Sequence, residues 1–320
     1  MRLTAQQVYE KLVNEDKITE LEGQIKFYLG EVSIIVKQRD VVGNIMQEWL
    51  QGWLNSHDIE YAPSDNTQMP PDFFLNPDDK TINLLEVKAF NRNAGPGFDI
   101  ADFRMYQGEI IEKPYMLDVD YLIFGYDMSD DGIVTIKDVW LKKVWQITRR
   151  MEDWPINLQI KEGHVHKIRP GIWYNDTTNR IDYSIFQSLE HFISAMEETV
   201  YQNEETRRDA GTWLTRFKRN YNDRYGIEVD IPRWYEIKDL YDLKRIRKKE
   251  KAELDFTKAQ ETYNKQHEKC EVARIKYDTA LVSGTELQKQ KAEEALRKAT
   301  ERLEKCAIKV NEKRASLEAL

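Results

Sequence analysis

Apolar and polar positions alternate in several stretches of residues 1–240, which is the pattern of β-strands with one buried face. Residues 24–38 alternate on both sides of Gly30, and this predicts a β-hairpin that turns at the glycine. Further strands are predicted over residues 73–75, 81–90, 119–126, 132–147 and 164–174. A sheet of several short strands is therefore expected in this part of the chain.

Helical patterns lie between these strands. Thr4 and Gln7 have the spacing of a capping box, so a helix is expected to begin after Thr4. Apolar residues in the segment 41–54 recur at helical spacing, and Gly226 is a candidate for the end of a later helix. Together the patterns predict an α/β domain over residues 1–240, in which helices flank a mixed sheet.

The pattern changes in residues 241–320, where alanine and apolar residues recur at steps of three and four with charged residues between them. Ser283 and Gly284 interrupt the repeat and allow the chain to turn. Thr285 and Gln288 then have the spacing of a second capping box. We predict that residues 241–320 form a separate domain, an antiparallel helical hairpin of coiled-coil type.

The chain contains two cysteines, Cys270 and Cys306. This number excludes a disulfide scaffold and a Cys-rich zinc site, and it suits a reducing cytoplasm. Folding the hairpin at Gly284 would place Cys270 opposite about residue 297, so the two thiols are expected to pack between the helices without a disulfide. The absence of an apolar leader and of a long apolar run predicts a cytoplasmic protein without a membrane span.

Charge is unevenly distributed. The formal net charge is −8 for 320 residues, and residues 241–320 carry 20 Lys and Arg against 15 Asp and Glu, which leaves −13 for residues 1–240. An acidic domain argues mildly against a nucleic-acid partner, although metal-binding carboxylates and local basic patches can coexist with a negative total. The net charge therefore does not settle whether the chain binds nucleic acid, and individual residues must be considered.

The segment 70–90 contains Pro71-Asp72 followed by Glu86-Val87-Lys88. Residues 76–79, Asn-Pro-Asp-Asp, are typical of a turn, so the two strands on either side are expected to bring Asp72 near Glu86. Strand alternation places Glu86 and Lys88 on one face. The alternative is an ordinary hairpin whose charged residues form its solvated face.

If the carboxylates converge, their chemistry suits Mg²⁺. Asp72, Glu86 and the Val87 carbonyl would supply oxygen ligands, and Glu48 from the preceding helix is a candidate ligand for a second ion. Lys88 would orient or deprotonate the attacking water, helped by neighbouring positive charge that lowers its pKa. Asp72, Glu86, Lys88 and Glu48 are therefore the predicted catalytic residues.

The ordered set of Glu48, Pro71-Asp72 and Glu86-Val87-Lys88 resembles the PD-(D/E)xK nuclease superfamily. Five segments resemble, more closely, type II restriction endonucleases of the NlaIV/NgoBV family: VVGNIMQEWL, PPDFFLNPDDKTINLLEVKAF, FDIADF, VDYLIFGY and IRPGIWY. The resemblance covers about residues 1–240. It implies Mg²⁺-dependent cleavage of double-stranded DNA by a homodimer at a short palindrome, with GGNNCC as the expected sequence. The helical hairpin is not a feature that the resemblance explains.

Candidate DNA contacts follow the strand that carries Lys88. Asn91, Arg92 and Asn93 have amide and guanidinium groups suited to base edges, although an ordinary polar loop is an equal alternative. A second set, on the stretch 164–175, could contact phosphates or bases: Lys167, Arg169 and Asn175. The hairpin of residues 241–320 is expected to make protein–protein contacts, with an arm along DNA or a stabilising appendage as alternatives.

Two other functions stay open on the sequence alone. One is a repair or structure-specific nuclease with the same fold. The other is a non-catalytic DNA-binding or coiled-coil interaction protein, against which the presence of Asp72, Glu86 and Lys88 argues.

Overall fold

The computed structural model describes residues 1–66, 68–174 and 185–319. It divides into two compact units, Met1–Tyr241 and Asp242–Leu320. Strands and most helices belong to the first unit. The strands are β1 (Glu22–Gln24), β2 (Lys26–Leu29), β3 (Val32–Ile35), β4 (Ala62–Pro63), β5 (Phe73–Phe74), β6 (Leu84–Asn91), β7 (Ala101–Asp102), β8 (Asp120–Met128), β9 (Ile133–Lys142), β10 (Leu158–Lys161) and β11 (His164–Ile168).

The α-helices belong to both units. They are α1 (Ala5–Glu10), α2 (Arg39–Ser56), α3 (Phe103–Glu112), α4 (Leu189–Gln202), α5 (Ala210–Tyr225), α6 (Trp234–Ile237), α7 (Leu243–Ser283) and α8 (Glu286–Glu318). The Thr4 capping box forms as predicted, and Gly226 ends α5 in the left-handed conformation. In the described residues, the structure contains no helix that is both long and apolar enough to span a membrane.

A mixed sheet organises the first unit, in the order β1-β9-β8-β6-β5-β4. β6 and β8 pair in parallel at the centre, whereas β5 runs antiparallel to β6. A three-stranded sheet, β10-β11-β7, and the separate hairpin β2-β3 complete the strands. The hairpin turns at Gly30, whose φ of +57° explains the glycine. The predicted α/β fold with a mixed sheet is confirmed.

Two apolar cores lie on opposite faces of this sheet. Leu85 and Val87 of β6 belong to the core covered by α1 and α2. Leu84 and Phe90 of the same strand belong to the other core, which includes residues of α3, α4 and α5. The alternation predicted for residues 84–90 is therefore confirmed, and Glu86 and Lys88 share the face that α3 covers.

The second unit is a pair of antiparallel helices, α7 and α8. Asp255 of α7 forms an ion pair with Lys313 of α8 at 2.9 Å, and Cys270 Sγ lies 3.7 Å from Thr300 Oγ1. Cys270 is therefore opposite residue 300, three residues from the predicted position, and both cysteines are free. A Cβ at Gly284 would lie 2.6 Å from the Ala280 carbonyl oxygen, so the turn needs a glycine. The predicted helical hairpin is confirmed.

Candidate active site

An open cleft of about 730 Å³ lies at the side of the sheet where β6 meets the start of β5. Most of its lining comes from four parts of the chain: the first half of α2, the segment that ends at Asp72, β6 from Glu86 to Asn91, and the loop before β7. Tyr126 of β8 and Lys167 of β11 also line it. Asp72, Glu86, Val87 and Lys88 all border this cleft. The fold therefore brings together the three residues on which the sequence prediction depended most.

Backbone pairing fixes Asp72 beside β6. Its N–H donates to the Leu85 carbonyl at 3.0 Å, and its carboxylate Oδ2 accepts from the Val87 N–H at 2.8 Å. β5 pairs with β6 only at Phe73 and Phe74, so the side chain of Asp72 continues the ladder where the strand pairing stops. In a strand the N–H and C=O of one residue point to the same side, which directs the Val87 carbonyl towards Asp72 as well.

Glu86 and Lys88 form a buried ion pair on the adjacent part of β6. Lys88 Nζ lies 2.7 Å from Glu86 Oε1, and the Glu86 side chain is only 6% exposed. Glu86 Oε2 is buried and has no hydrogen-bond partner within the described residues. One carboxylate oxygen is thus paired with the ammonium group, while the other still has unused acceptor capacity.

Both carboxyl groups are more easily protonated than in solution. Burial raises the pKa of Asp72, and the Val87 N–H and the Lys88 charge only partly oppose it. Burial also raises the pKa of Glu86, to about 7, with the charge of Asp72 adding to the effect and Lys88 opposing it. Negative charge at this position is therefore incompletely compensated, and a bound cation would relieve that cost.

The charge around Lys88 is opposite to the one expected from the sequence. Burial lowers the pKa of Lys88, but the neighbouring carboxylates Glu86, Asp72 and Asp99 outweigh it and raise the pKa overall. The expectation that nearby positive charge lowers this pKa is wrong for the protein by itself, because the charges that face Lys88 are negative. Lys88 is thus a cation held between carboxylates, which suits it to binding and orienting an anionic or polar group.

The donor set at this end of the cleft fits Mg²⁺. Asp72, Glu86 and the Val87 carbonyl offer only oxygen atoms, the ligands that this ion prefers. The described residues contain no group of three or more His, Cys, Asp or Glu side chains arranged for a metal. Mg²⁺ is nevertheless commonly held by one or two carboxylates together with waters and substrate phosphates, so two carboxylates and a carbonyl are sufficient.

Glu48 is not part of this arrangement. It lies on α2 but is exposed, and it is not among the residues that line the cleft. The same helix instead presents Asp40, Asn44 and Gln47 to the cleft. The prediction assigned a carboxylate of α2 to the site, whereas the carboxylate of α2 that borders the cleft is Asp40 and not Glu48.

The residues after Lys88 have different environments. Asn91 lines the cleft and accepts a hydrogen bond from the Asn93 N–H at 2.9 Å, while Asn93 Nδ2 donates to Asp127 at 2.9 Å. Arg92 is mostly buried, forms an ion pair with Asp138, and lies 4.3 Å from the ring centroid of Tyr174. In this structure the guanidinium of Arg92 therefore contacts other side chains of the protein, Asp138 and Tyr174.

The second predicted set is also divided. Lys167 lines the cleft, and its Nζ lies 3.7 Å from Asp102 Oδ2. Arg169 forms an ion pair with Asp99 and donates to the Gly97 carbonyl at 2.6 Å, so it holds the loop that forms one wall of the cleft. Asn175 lies outside the described residues. Asp40 and Asp99 were missed because neither belongs to the motif, and only folding brings them to the cleft.

Comparison with known proteins places this geometry in a family. The model of the NgoBV restriction endonuclease family matches residues 2–241, which include the whole sheet and the cleft. The chain belongs to the NgoBV restriction endonuclease family. The predicted resemblance to the NlaIV/NgoBV enzymes is confirmed, and the chain is a type II restriction endonuclease.

Relatives within this family are similar over most of their length. The type II restriction enzyme NlaIV of Neisseria lactamica is 63% identical over 241 residues, covering 75% of this chain and 98% of the relative. The type II restriction enzyme NgoBV of Neisseria gonorrhoeae is 61% identical over 163 residues, covering 51% of this chain and 93% of the relative.

A solved structure agrees with these relatives. The NlaIV restriction endonuclease superposes with a TM-score of 0.72 at 63% identity and covers 75% of this chain and 97% of that one. The match to the NgoBV family model ends at residue 241, so it does not include α7 and α8.

Proposed function

We propose that this restriction endonuclease hydrolyses both strands of duplex DNA at a short palindrome, with Mg²⁺ as its cofactor and GGNNCC as the sequence to test first. The observation that carries the proposal is the convergence of Asp72, Glu86 and Lys88 at one end of an open cleft. The oxygen donors and the raised carboxyl pKa values support a divalent cation there.

The residues of the chain have separate tasks in this proposal. Asp72, Glu86 and the Val87 carbonyl would hold Mg²⁺, which when bound supplies charge stabilisation at the scissile phosphate and acidifies a water. Lys88 donates hydrogen bonds and would orient the attacking water or a phosphate oxygen. Its ion pair with Glu86 positions the ammonium group before substrate arrives.

The cleft would also hold DNA. Asn91 and Lys167 line it and are candidates for contacts to bases and phosphates. In the protein without DNA, Arg92 forms an ion pair with Asp138, and Arg169 forms one with Asp99. We therefore assign Arg92 first to stabilising the sheet and Arg169 to stabilising the cleft wall. A base contact by either would require that ion pair to open.

We further propose a homodimer, because a palindrome has two-fold symmetry and a two-fold pair of protomers presents one site to each strand. The hairpin β2-β3 is the candidate surface for this dimer contact. Its register places Phe27, Leu29, Val32 and Ile34 on one face. These side chains are 52–73% exposed in the described structure. An apolar face on a twisted hairpin can pair with its own copy across a two-fold axis.

Digestion of plasmid DNA tests the proposal directly. Purified full-length protein with Mg²⁺ is expected to give discrete fragments, and chelation with EDTA should abolish them. Sequencing the fragment ends identifies the recognition sequence and the cut position. Fragments without a common terminal sequence would exclude site-specific cleavage, and cutting that continues in EDTA would exclude the metal.

A further inference from the structure

Three buried polar atoms without hydrogen-bond partners belong to residues of one region of the first unit. They are Glu86 Oε2 and the hydroxyl groups of Tyr106 and Tyr121, each without a partner among the described residues. Both tyrosines are fully buried, at 0% exposure. A buried polar group that lacks a hydrogen-bond partner destabilises a protein. Three such groups in one region therefore need a physical explanation.

Strand register brings Tyr121 beside Glu86. The two residues are direct partners in the parallel pairing of β6 with β8, and partners in register extend from the same face of the sheet. Tyr121 belongs to the core that also contains Leu84 and Phe90, which lie on the same face of β6 as Glu86. The tyrosine ring thus lies on the same side of the sheet as the Glu86 carboxylate.

Tyr106 belongs to the layer of helices on this face of the sheet. It lies on α3, which covers this face, and belongs to the same core as Tyr121. Burial raises the pKa of the Tyr106 hydroxyl, and the charge of Glu86 raises it further. The pKa of Tyr121 is raised by burial and then by Tyr106 and Glu86. The charge of Glu86 thus acts on both hydroxyls.

We propose that Tyr106 and Tyr121 are positioning residues for Glu86, and that their hydroxyl groups hold Oε2 through a bridging water. A water buried among three polar groups has the number of partners that such waters usually have. With Oε2 fixed on the tyrosine side, Oε1 stays available to Lys88 and to a metal. The metal part of this inference rests on the proposed function. The hydrogen-bonded cluster does not.

The cluster is tested first in metal-free, full-length protein by a double-mutant cycle. Tyr121→Phe should lower the Tm by about 2–4 °C if its hydroxyl is hydrogen-bonded. The loss should shrink in a Glu86→Met background, where no side-chain oxygen accepts; Glu86→Ala, which also lacks an acceptor, serves if Glu86→Met does not fold. A Tm that is unchanged or raised by Tyr121→Phe, or an equal loss in both backgrounds, overturns the cluster.

Metal titration tests the consequence for the site. Calorimetry with Mg²⁺ or Mn²⁺ should show affinity about 10- to 100-fold weaker for the Tyr106→Phe/Tyr121→Phe double variant than for wild type. The control is Tyr241→Phe. This buried hydroxyl is bonded to the Gln187 N–H at 3.1 Å, so its loss should lower stability without changing metal affinity.

The possible failures are distinct. Equal metal affinity in the double variant and wild type overturns the positioning role. Wild-type protein that binds neither ion overturns the metal in the proposed function, while the stability cycle still decides whether the tyrosines hold Glu86.

Discussion

The carboxylate of Asp72 accepts a hydrogen bond from the backbone N–H of Val87 at 2.8 Å, across a gap of 15 residues in the chain. This bond takes the place of a strand-to-strand hydrogen bond just before the start of β5. It fixes one carboxylate against the strand that carries the second carboxylate and the lysine. The position of the proposed site is thus set by the same hydrogen bonding that builds the sheet.

Replacing Asp72 with Asn should abolish Mg²⁺-dependent cleavage and leave the fold intact. The amide oxygen can still accept from the Val87 N–H, but the negative charge that would hold the metal is lost. We expect at least a 100-fold lower rate of plasmid cleavage, by analogy with the loss of other polar groups that act directly in catalysis. Gel analysis of fragments measures this, and circular dichroism checks the fold.

Asp78→Asn is the matched control for this variant. Asp78 lies in the turn between the two strands and is 73% exposed, with Arg2 as its ion-pair partner. Its substitution should leave the cleavage rate within about twofold of wild type, since exposed ion pairs contribute little. Equal activity of Asp72→Asn and wild type would remove Asp72 from the proposed site.

The strand residues of the site could be predicted because side chains on a strand alternate with a fixed period. Glu86 and Lys88 therefore had to share a face once the strand was recognised. The helix contribution could not be predicted in the same way. Which residues of α2 border the cleft depends on how the helix packs on β6, and this packing places Asp40 rather than Glu48 at the cleft.

Contacts between residues that are distant in sequence could not be predicted from the sequence either. The environment of Arg92 is formed by Asp138, Trp140 and Tyr174, which follow it by 46 residues or more and come together only across the sheet. The acidic surroundings of Lys88 depend on Asp72 and Asp99 in the same way. Local pattern fixes the face on which a side chain lies, whereas its neighbours are set by tertiary packing.

Glu48→Gln should retain cleavage within about twofold of wild type. Glu48 is exposed and does not line the cleft, so its charge has no direct contact with the proposed metal ligands. Asp40→Asn on the same helix should lower the rate more strongly, because Asp40 borders the cleft. Plasmid cleavage at several Mg²⁺ concentrations compares the two. A large loss for Glu48→Gln alone would return Glu48 to the site.

Arg92→Lys should lower the free energy of unfolding by about 1–3 kcal/mol. The guanidinium pairs with Asp138 and lies 4.3 Å and 5.5 Å from the ring centroids of Tyr174 and Trp140, and lysine cannot reproduce this flat contact. Chemical denaturation measures the change. Arg208→Lys is the control, since the Arg208 side chain is 87% exposed and its stability effect should be below about 0.5 kcal/mol.

The same variant separates a structural role from base recognition. If Arg92 acts within the sheet, Arg92→Lys should cut the same sequence as wild type, as determined from fragment ends. Unchanged stability together with cutting at altered sequences would instead assign Arg92 to a base.

Ile34→Glu should dissociate the proposed homodimer. Ile34 is 52% exposed on the apolar face of the β2-β3 hairpin, next to its register partner Phe27. A charge at this position would have to be desolvated in a paired interface, which opposes association. Light scattering coupled to size-exclusion chromatography is expected to show a monomer for the variant and a dimer for wild type. Double-strand cleavage should fall with it.

Ser33→Glu provides the control on the same hairpin. Ser33 pairs with Tyr28, so its side chain extends from the opposite face and an added charge there should leave the dimer intact. If both variants remain dimeric, the two-fold contact uses another surface of the chain. If both become monomeric, the charge disrupts the hairpin itself rather than one apolar face, and the proposed interface must be withdrawn.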